Sequence, residues 1–279
     1  MPTRLIGDPN NASSVADWVE FYILAMEQEI SQSELISFIE LSSGNEVEQS
    51  FVNDIWLELE RRLVLYGTRK PYIVNDRDIS SLIDWKEFPE YTTCIILSID
   101  GNSIETVRTG KLFERLSRKA VTNYFSGLSV IYGHPSRQTL KSIATQMSEK
   151  FICEPSPNFK DRGVDIICWK PFDDKRKSQT TALIQCAAGF NWDSKLLSIP
   201  YDAWTKYIHW GAKPLKGFTV PVVIEDRRYD DIVTDAGIMF DRPRIYQNTQ
   251  YDYTDDANLI GDLISWCEPK ITSFVTDLI

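Results

Sequence analysis

Hydrophobic side chains recur every three to four residues over much of residues 13–67, which is the spacing of an apolar helical stripe. The first stripe consists of four large side chains: Trp18, Phe21, Tyr22 and Met26. A second helix begins at the capping-box sequence Ser31–Glu34, and a third ends before Gly67. The short apolar run Thr93–Ile99 predicts a strand. We therefore expect residues 1–100 to form a mainly helical region.

The spacing changes in the second part of the chain. Residues 111–125 show the pattern of an amphipathic helix, whose inner stripe consists of Leu112, Leu116, Ala120 and Tyr124. Further helices are predicted at 138–150, 201–210 and 255–279. Short runs rich in Val, Ile and aromatic residues predict strands at 164–169, 182–188, 218–224 and 237–242. The polar, turn-rich residues 171–178 join the first two runs, which indicates a β-hairpin. We therefore expect residues 101–279 to form an α/β domain.

Composition narrows the class of protein. A hydrophobic fraction of 43% and a charged fraction of 25% are typical of a soluble globular protein. No apolar run has the length of a membrane span and the N-terminus lacks a signal-peptide core, so we expect a cytoplasmic protein without a membrane partner. The five scattered cysteines include no CxxC pair, which favours reduced thiols.

Charge and histidine content exclude several functions. The chain has two histidines, which lie far apart and have no cysteine neighbours. This pattern argues against a zinc site, a Ser-His-Asp triad and a histidine-based nuclease site. It contains no glycine-rich phosphate loop. A net charge of −10 argues against an extended surface that coats nucleic acid, although it leaves room for a local basic groove.

Two polar side chains interrupt the predicted hairpin. Asp165 lies where the first apolar run begins, and Gln185 lies in the middle of the second. Burial of such groups without a partner costs several kcal/mol. A divalent cation would supply that partner, because Mg²⁺ prefers oxygen ligands.

These features resemble the PD-(D/E)xK nuclease superfamily over roughly residues 105–250. The resemblance is carried by Leu112-Phe113-Glu114-Arg115-Leu116, by Asp161-Arg162-Gly163-Val164-Asp165 and by Ile184-Gln185-Cys186. It implies a restriction-endonuclease-like mixed central sheet flanked by helices. It also implies a Mg²⁺ or Mn²⁺ ion held by Asp165, Gln185, the Cys186 backbone carbonyl and Glu114. The implied activity is DNA phosphodiester hydrolysis, in a prokaryotic restriction or anti-phage defence system.

The chain departs from the family pattern at one position. The family lysine falls on Ala187, two residues after Gln185. We expect Lys195, at the start of a short helix after the second hairpin strand, to take its place, with Lys160 and Lys170 as alternatives. If no lysine does so, the chain is a catalytically inactive nuclease-fold protein that serves as an interaction or structural subunit of a defence complex.

Four basic residues are candidates for contact with DNA. Arg115 and Lys119 lie on the helix that carries Glu114, and Arg242 and Arg244 flank a proline. Guanidinium groups match phosphate oxygens well, but an ion pair with Asp241 would equally explain the second pair. Trp192, Trp204 and Trp210 either stack on bases or pack in the core. The N-terminal region is a candidate surface for a protein partner, and homo-oligomerisation stays open.

Overall fold

The computed structural model describes most of the chain. It covers residues 7–100, 106–133, 138–156, 162–197, 199–249 and 256–278. The N-terminal region contains the predicted helices α1 (Ala12–Met26), α2 (Gln32–Ser43) and α3 (Gln49–Tyr66). The capping box at the start of α2 is present, because the Ser31 hydroxyl accepts from the Glu34 amide while the Glu34 carboxylate accepts from the Ser31 amide.

A small antiparallel sheet and a buried helix complete this region. The sheet has the order β1 (Ile30–Ser31), β3 (Asp78–Ser81), β2 (Tyr72–Val74). The helix α4 (Pro89–Asp100) occupies the run predicted as a strand, so that prediction is wrong. Every residue from Pro89 to Ile99 is buried, so no polar face revealed the helical period in the sequence. Proline also fits the first turn of a helix.

The second part of the chain alternates helices and strands. In chain order the elements are α5 (Thr106–Phe125), β4 (Leu128–Ile131), α6 (Leu140–Gln146), β5 (Lys150–Phe151), β6 (Ile166–Lys170), β7 (Thr180–Cys186), a 3-10 helix (Trp192–Lys195), α7 (Tyr201–Trp204), β8 (Ile208–His209), β9 (Leu215–Thr219), α8 (Asp226–Ala236), β10 (Ile238–Phe240), α9 (Arg242–Asn248) and α10 (Leu259–Leu278). The predicted helix at 138–150 is shorter than expected, since α6 covers only Leu140–Gln146. Of the predicted helix at 201–210, only α7 is helical, and Ile208–His209 form β8 instead.

The central sheet is mixed, as expected. Its strand order is β10-β9-β7-β6-β4. Strands β7, β9 and β10 run parallel to one another, whereas β6 is antiparallel to both β7 and β4. The predicted hairpin is β6–β7, in which Ile166 lies opposite Ile184. The mixed α/β class is therefore confirmed, with strands 218–224 and 237–242 shifted to the bounds of β9 and β10.

Alternating side chains of the hairpin face two different layers. Ile166 and Ile184 belong to the largest hydrophobic cluster, whereas Ile167 and Leu183 belong to a second cluster on the other face. Helix α5 packs on the first face through Leu112, Leu116 and Ala120, but the fourth residue of its predicted stripe, Tyr124, is 54% exposed.

The largest cluster crosses the predicted boundary between residues 1–100 and 101–279. It contains Trp18 of α1 and Ile95 of α4 together with Leu116 of α5 and Trp266 of α10. The two regions therefore share one apolar interior. None of the described helices has an apolar stretch of the length needed to span a bilayer.

Candidate active site

Asp165 lies immediately before β6 and is held by backbone groups from both neighbouring strands. Its carbonyl accepts from the amides of Tyr132, at 2.7 Å, and Gly133, at 3.1 Å. Its own amide donates to the Ile184 carbonyl at 2.9 Å. Carboxylate oxygen Oδ2 accepts from the Cys186 amide at 2.7 Å. These backbone bonds fix the side chain at the end of the hairpin.

The second carboxylate oxygen of Asp165 lies beside Glu114. Gly133, just after β4, lies next to both: a Cβ on this glycine would come within 3.2 Å of Asp165 Oδ1 and 3.4 Å of Glu114 Oε2. The structure thus brings together two predicted site residues from α5 and the β6 strand entrance. The missing side chain of Gly133 leaves open the space that adjoins both carboxylates.

Gln185 has a buried oxygen without a partner. Its side chain belongs to a residue that is only 8% exposed, and within the described part of the chain Oε1 accepts no hydrogen bond. Ile184, the residue before Gln185, pairs with Ile166 and accepts from the Asp165 amide, so the backbones of Gln185 and Asp165 lie close together at the end of the hairpin. A buried acceptor without a partner costs free energy, which makes this oxygen a candidate metal ligand.

The pKa of the Cys186 thiol is influenced by the two carboxylates of the candidate site. Burial raises the pKa of the thiol well above its usual range, and the charges of Asp165 and Glu114 raise it further. The nearby hydroxyls of Thr219 and Ser117 act on this pKa in the opposite direction. The thiol is therefore neutral at neutral pH.

The donor set fits a hard cation with few protein ligands. Asp165 and Glu114 offer anionic oxygens, and Gln185 and the Cys186 carbonyl offer neutral ones. Mg²⁺ commonly binds through one or two carboxylates and keeps several waters. Within the described residues no group of three or more His, Cys, Asp or Glu side chains is arranged to hold a metal ion. Any ion here would therefore depend on the neutral oxygens and on water.

The turn that carries Lys195 packs near the position of the missing family lysine. Ala187 is 1% exposed and shares a hydrophobic cluster with Trp192 and Leu196, which lie on either side of Lys195 in and beside the 3-10 helix. Phe218 belongs to the same cluster, so a lysine at position 187 would be buried among apolar side chains. Lys195 itself is partly buried, and its catalytic role stays a prediction.

The structure describes one of the two alternative lysines. Lys170 is exposed and ends β6, at the opposite end of the strand from Asp165. Lys160, and the candidate turn residue Asp161, lie outside the described residues.

Two of the predicted DNA contacts are wrong. Arg242 is 0% exposed and Lys119 is 4% exposed, so neither side chain offers a surface cation to a phosphate. Arg115 is partly exposed, but its guanidinium bonds the carboxylates of Asp256, at 2.7 and 2.8 Å, and Asp262, at 2.6 Å. A phosphate at Arg115 would have to displace both.

The fourth candidate, Arg244, is exposed. Its guanidinium donates to the Met239 carbonyl at 2.8 Å and lies 5.3 Å from the centre of the Tyr229 ring. Asp241 caps α9 by accepting from the Arg244 amide. This contact is a helix cap from a backbone amide, so the alternative of an ion pair between Asp241 and an arginine side chain stays a prediction. Trp192 and Trp204 are buried, which favours core packing over base stacking for both.

Sequence reasoning missed a buried ionic network. Arg62 donates to Asp17 at 2.6 Å and to Glu20 at 2.8 Å, and Arg242 donates to the same Asp17 oxygen at 2.6 Å. The only sequence signal was that Asp17 and Glu20 interrupt the apolar stripe of α1. Gly133 was missed as well, because nothing in the sequence marks it.

No protein-family model matches this sequence, and no curated protein or solved structure matches it either. Its function must therefore be inferred from its own residues.

Proposed function

We propose that this protein is a Mg²⁺-dependent endonuclease of the PD-(D/E)xK type that hydrolyses DNA phosphodiester bonds. One observation carries the proposal. Asp165 and Glu114 face the same space beside Gly133, next to a strand position whose Gln185 side-chain oxygen is buried and has no partner in the described chain.

The order of elements supports the same proposal. Helix α5 with Glu114 comes first, Asp165 enters β6, and Gln185 lies on β7, the neighbouring strand of a mixed sheet. This is the order that the resemblance implies.

The protein side chains would perform distinct tasks. The Cys186 amide holds Asp165 Oδ2, which leaves Oδ1 directed to the space shared with Glu114. These oxygens and Gln185 would hold the ion, which when bound lowers the pKa of a water and neutralises phosphate charge. Lys195 would stabilise the negative charge that develops on the phosphate.

The test measures plasmid cleavage, in the presence of Mg²⁺ or Mn²⁺, by variants of two different aspartates. Asp165→Asn keeps an oxygen that accepts from the Cys186 amide but loses the negative charge. We expect cleavage to fall by about a hundredfold or more while the melting temperature changes little. Asp174→Asn, in the exposed hairpin turn where Asp174 pairs with Arg176, is the matched control and should cleave normally. Equal cleavage by Asp165→Asn and the parent would refute the site.

A second candidate function is an inactive interaction subunit with a nuclease fold. Ala187 and the engagement of Arg115 with two aspartates favour it. Thermal unfolding with Mn²⁺ separates the two functions, because an ion that binds only the folded state raises its stability by about 2.7 kcal/mol at a concentration of a hundred times Kd. No shift and no cleavage would favour the inactive subunit.

A further inference from the structure

Three small polar side chains meet beneath the carboxylates. Ser117 Oγ and Thr219 Oγ1 lie 2.9 Å apart in a hydrogen bond, and both residues are 0% exposed. Thr219 also pairs with Cys186 of the neighbouring strand β7, whose thiol lies near both hydroxyls. We name Ser117, Cys186 and Thr219 the hydroxyl–thiol cluster.

Each member of the cluster sits on a different element, next to a part of the candidate site. Ser117 follows Glu114 by one helical turn on α5. Cys186 ends β7, and its amide donates to Asp165 Oδ2. Thr219 ends β9, and its carbonyl accepts from the Ala187 amide at 3.0 Å. The cluster therefore joins the helix that carries Glu114 to β7, which holds Asp165 in place, and to its neighbour β9.

The other contacts between α5 and the sheet are largely apolar. Leu112, Phe113, Leu116 and Ala120 pack against the same face of the sheet. Such contacts are not directional, so a small slide of the helix changes them little. A buried hydrogen bond resists the same slide, because movement would leave a desolvated hydroxyl without a partner.

We propose that the hydroxyl–thiol cluster sets the position of α5 on the sheet and thereby keeps Glu114 beside Asp165. Its members are positioning residues and do not touch the substrate. This inference rests on the proposed function, since it assigns the cluster to the same cation site. Groups that orient metal ligands typically contribute tenfold to a hundredfold to metal affinity or activity.

The experiment removes the hydroxyl of Thr219 while it keeps the branched shape of the side chain. Thr219→Val keeps the branched side chain and loses the hydroxyl, whereas Thr219→Ser keeps the hydroxyl. The readouts are the Mn²⁺ affinity from calorimetric titration, and kcat and KM for plasmid cleavage. We expect Thr219→Val to weaken Mn²⁺ binding by roughly tenfold to a hundredfold and to lower kcat, with little change in KM for DNA. Thr219→Ser should stay close to the parent.

A second hydroxyl pair between α5 and the sheet provides a matched control. Thr122 on α5 hydrogen-bonds to Ser129 on β4, two turns beyond Glu114. Thr122→Val removes a comparable bond away from the site and should leave Mn²⁺ affinity unchanged. If Thr219→Val unfolds, Ser117→Ala replaces it, because this variant removes the same hydrogen bond from the side of the helix.

The outcomes separate the two proposals. Unchanged Mn²⁺ affinity in Thr219→Val overturns the positioning role, as does an equal loss in Thr219→Ser or Thr122→Val. A parent that binds Mn²⁺ but leaves DNA intact overturns the endonuclease while the affinities still test the cluster. A parent that does not bind Mn²⁺ overturns both.

Discussion

Arg242 donates a hydrogen bond to Oδ1 of Asp17 at 2.6 Å, although the two residues are 225 positions apart in the sequence. Arg62 donates to the same oxygen, and both guanidinium groups are fully buried. Glu20 supplies a second carboxylate to both arginines. The network therefore fastens α1 and α3 to the start of α9, directly after the last strand of the central sheet.

Removal of one buried cation should destabilise the whole protein. Arg242→Met leaves Asp17 and Glu20 with Arg62 as their remaining cation in this network, and breaking a buried pair in this way typically costs about 3–5 kcal/mol. Urea unfolding followed by circular dichroism would measure the loss. Arg227→Met is the control, because Arg227 forms an exposed pair with Glu225 and such pairs contribute about 1 kcal/mol or less. A similar small cost for both variants would contradict the prediction.

Stability should fall in acid because of Asp17. Burial alone would raise the pKa of this carboxyl, but the charges of Arg242 and Arg62 outweigh burial and hold the pKa below its usual value of 3.8. A lowered folded pKa stabilises the protein above the unfolded value, and the gain disappears as the pH falls through the folded pKa. The free energy of unfolding should therefore decrease below about pH 4.

The nearly isosteric variant Asp17→Asn isolates this contribution. Its free energy of unfolding should lie below that of the parent at pH 7, and the two should converge in acid, where the parent carboxyl is protonated. A constant difference from pH 7 to pH 2.5 would show that the charge of Asp17 is not the cause.

Gly133→Ala should weaken the cation site without unfolding the protein. The added Cβ would lie 3.2 Å from Asp165 Oδ1, so the carboxylate must shift by a few tenths of an ångström. We expect Mn²⁺ affinity to fall by about tenfold. Gly261→Ala is the control, since a Cβ there meets nothing within 4 Å on helix α10 and should raise stability by up to about 1 kcal/mol. Unchanged Mn²⁺ affinity in Gly133→Ala would place the ion elsewhere.

Lys195→Ala should reduce cleavage by about a hundredfold or more at nearly constant melting temperature. A positioned charge that stabilises a transition state contributes on this scale. Lys170→Ala provides the comparison, because Lys170 is exposed at the far end of β6. Loss of cleavage in Lys170→Ala alone would transfer the role to that residue.

Local signals in the sequence were sufficient for the hairpin and for part of the site. Strands β6 and β7 are short, rich in apolar and β-branched residues and joined by turn residues, so no long-range information was needed. Asp165 and Gln185 were conspicuous because each interrupts an apolar run. Their neighbour Glu114 followed from the order of elements in the resemblance.

The remaining features depend on contacts between distant parts of the chain. The run Thr93–Ile99 is buried on all sides, so its period did not distinguish helix from strand. Arg242 resembled a surface cation because its partners Asp17 and Glu20 lie far away in sequence. Gly133 matters only through the space beside Asp165 and Glu114, which a one-dimensional pattern does not contain.

The apolar interior shared by α1, α4, α5 and α10 bears on how the chain could be divided. Two polypeptides that end at Asp100 and begin at Thr106 would each expose an apolar face shaped for the other, and the pair would carry complementary halves of the Asp17–Arg242 contact. Fragments made separately should therefore aggregate or stay unfolded, whereas fragments produced in the same cell should reassemble. Recovery of the complete fold would then report that the two fragments had met.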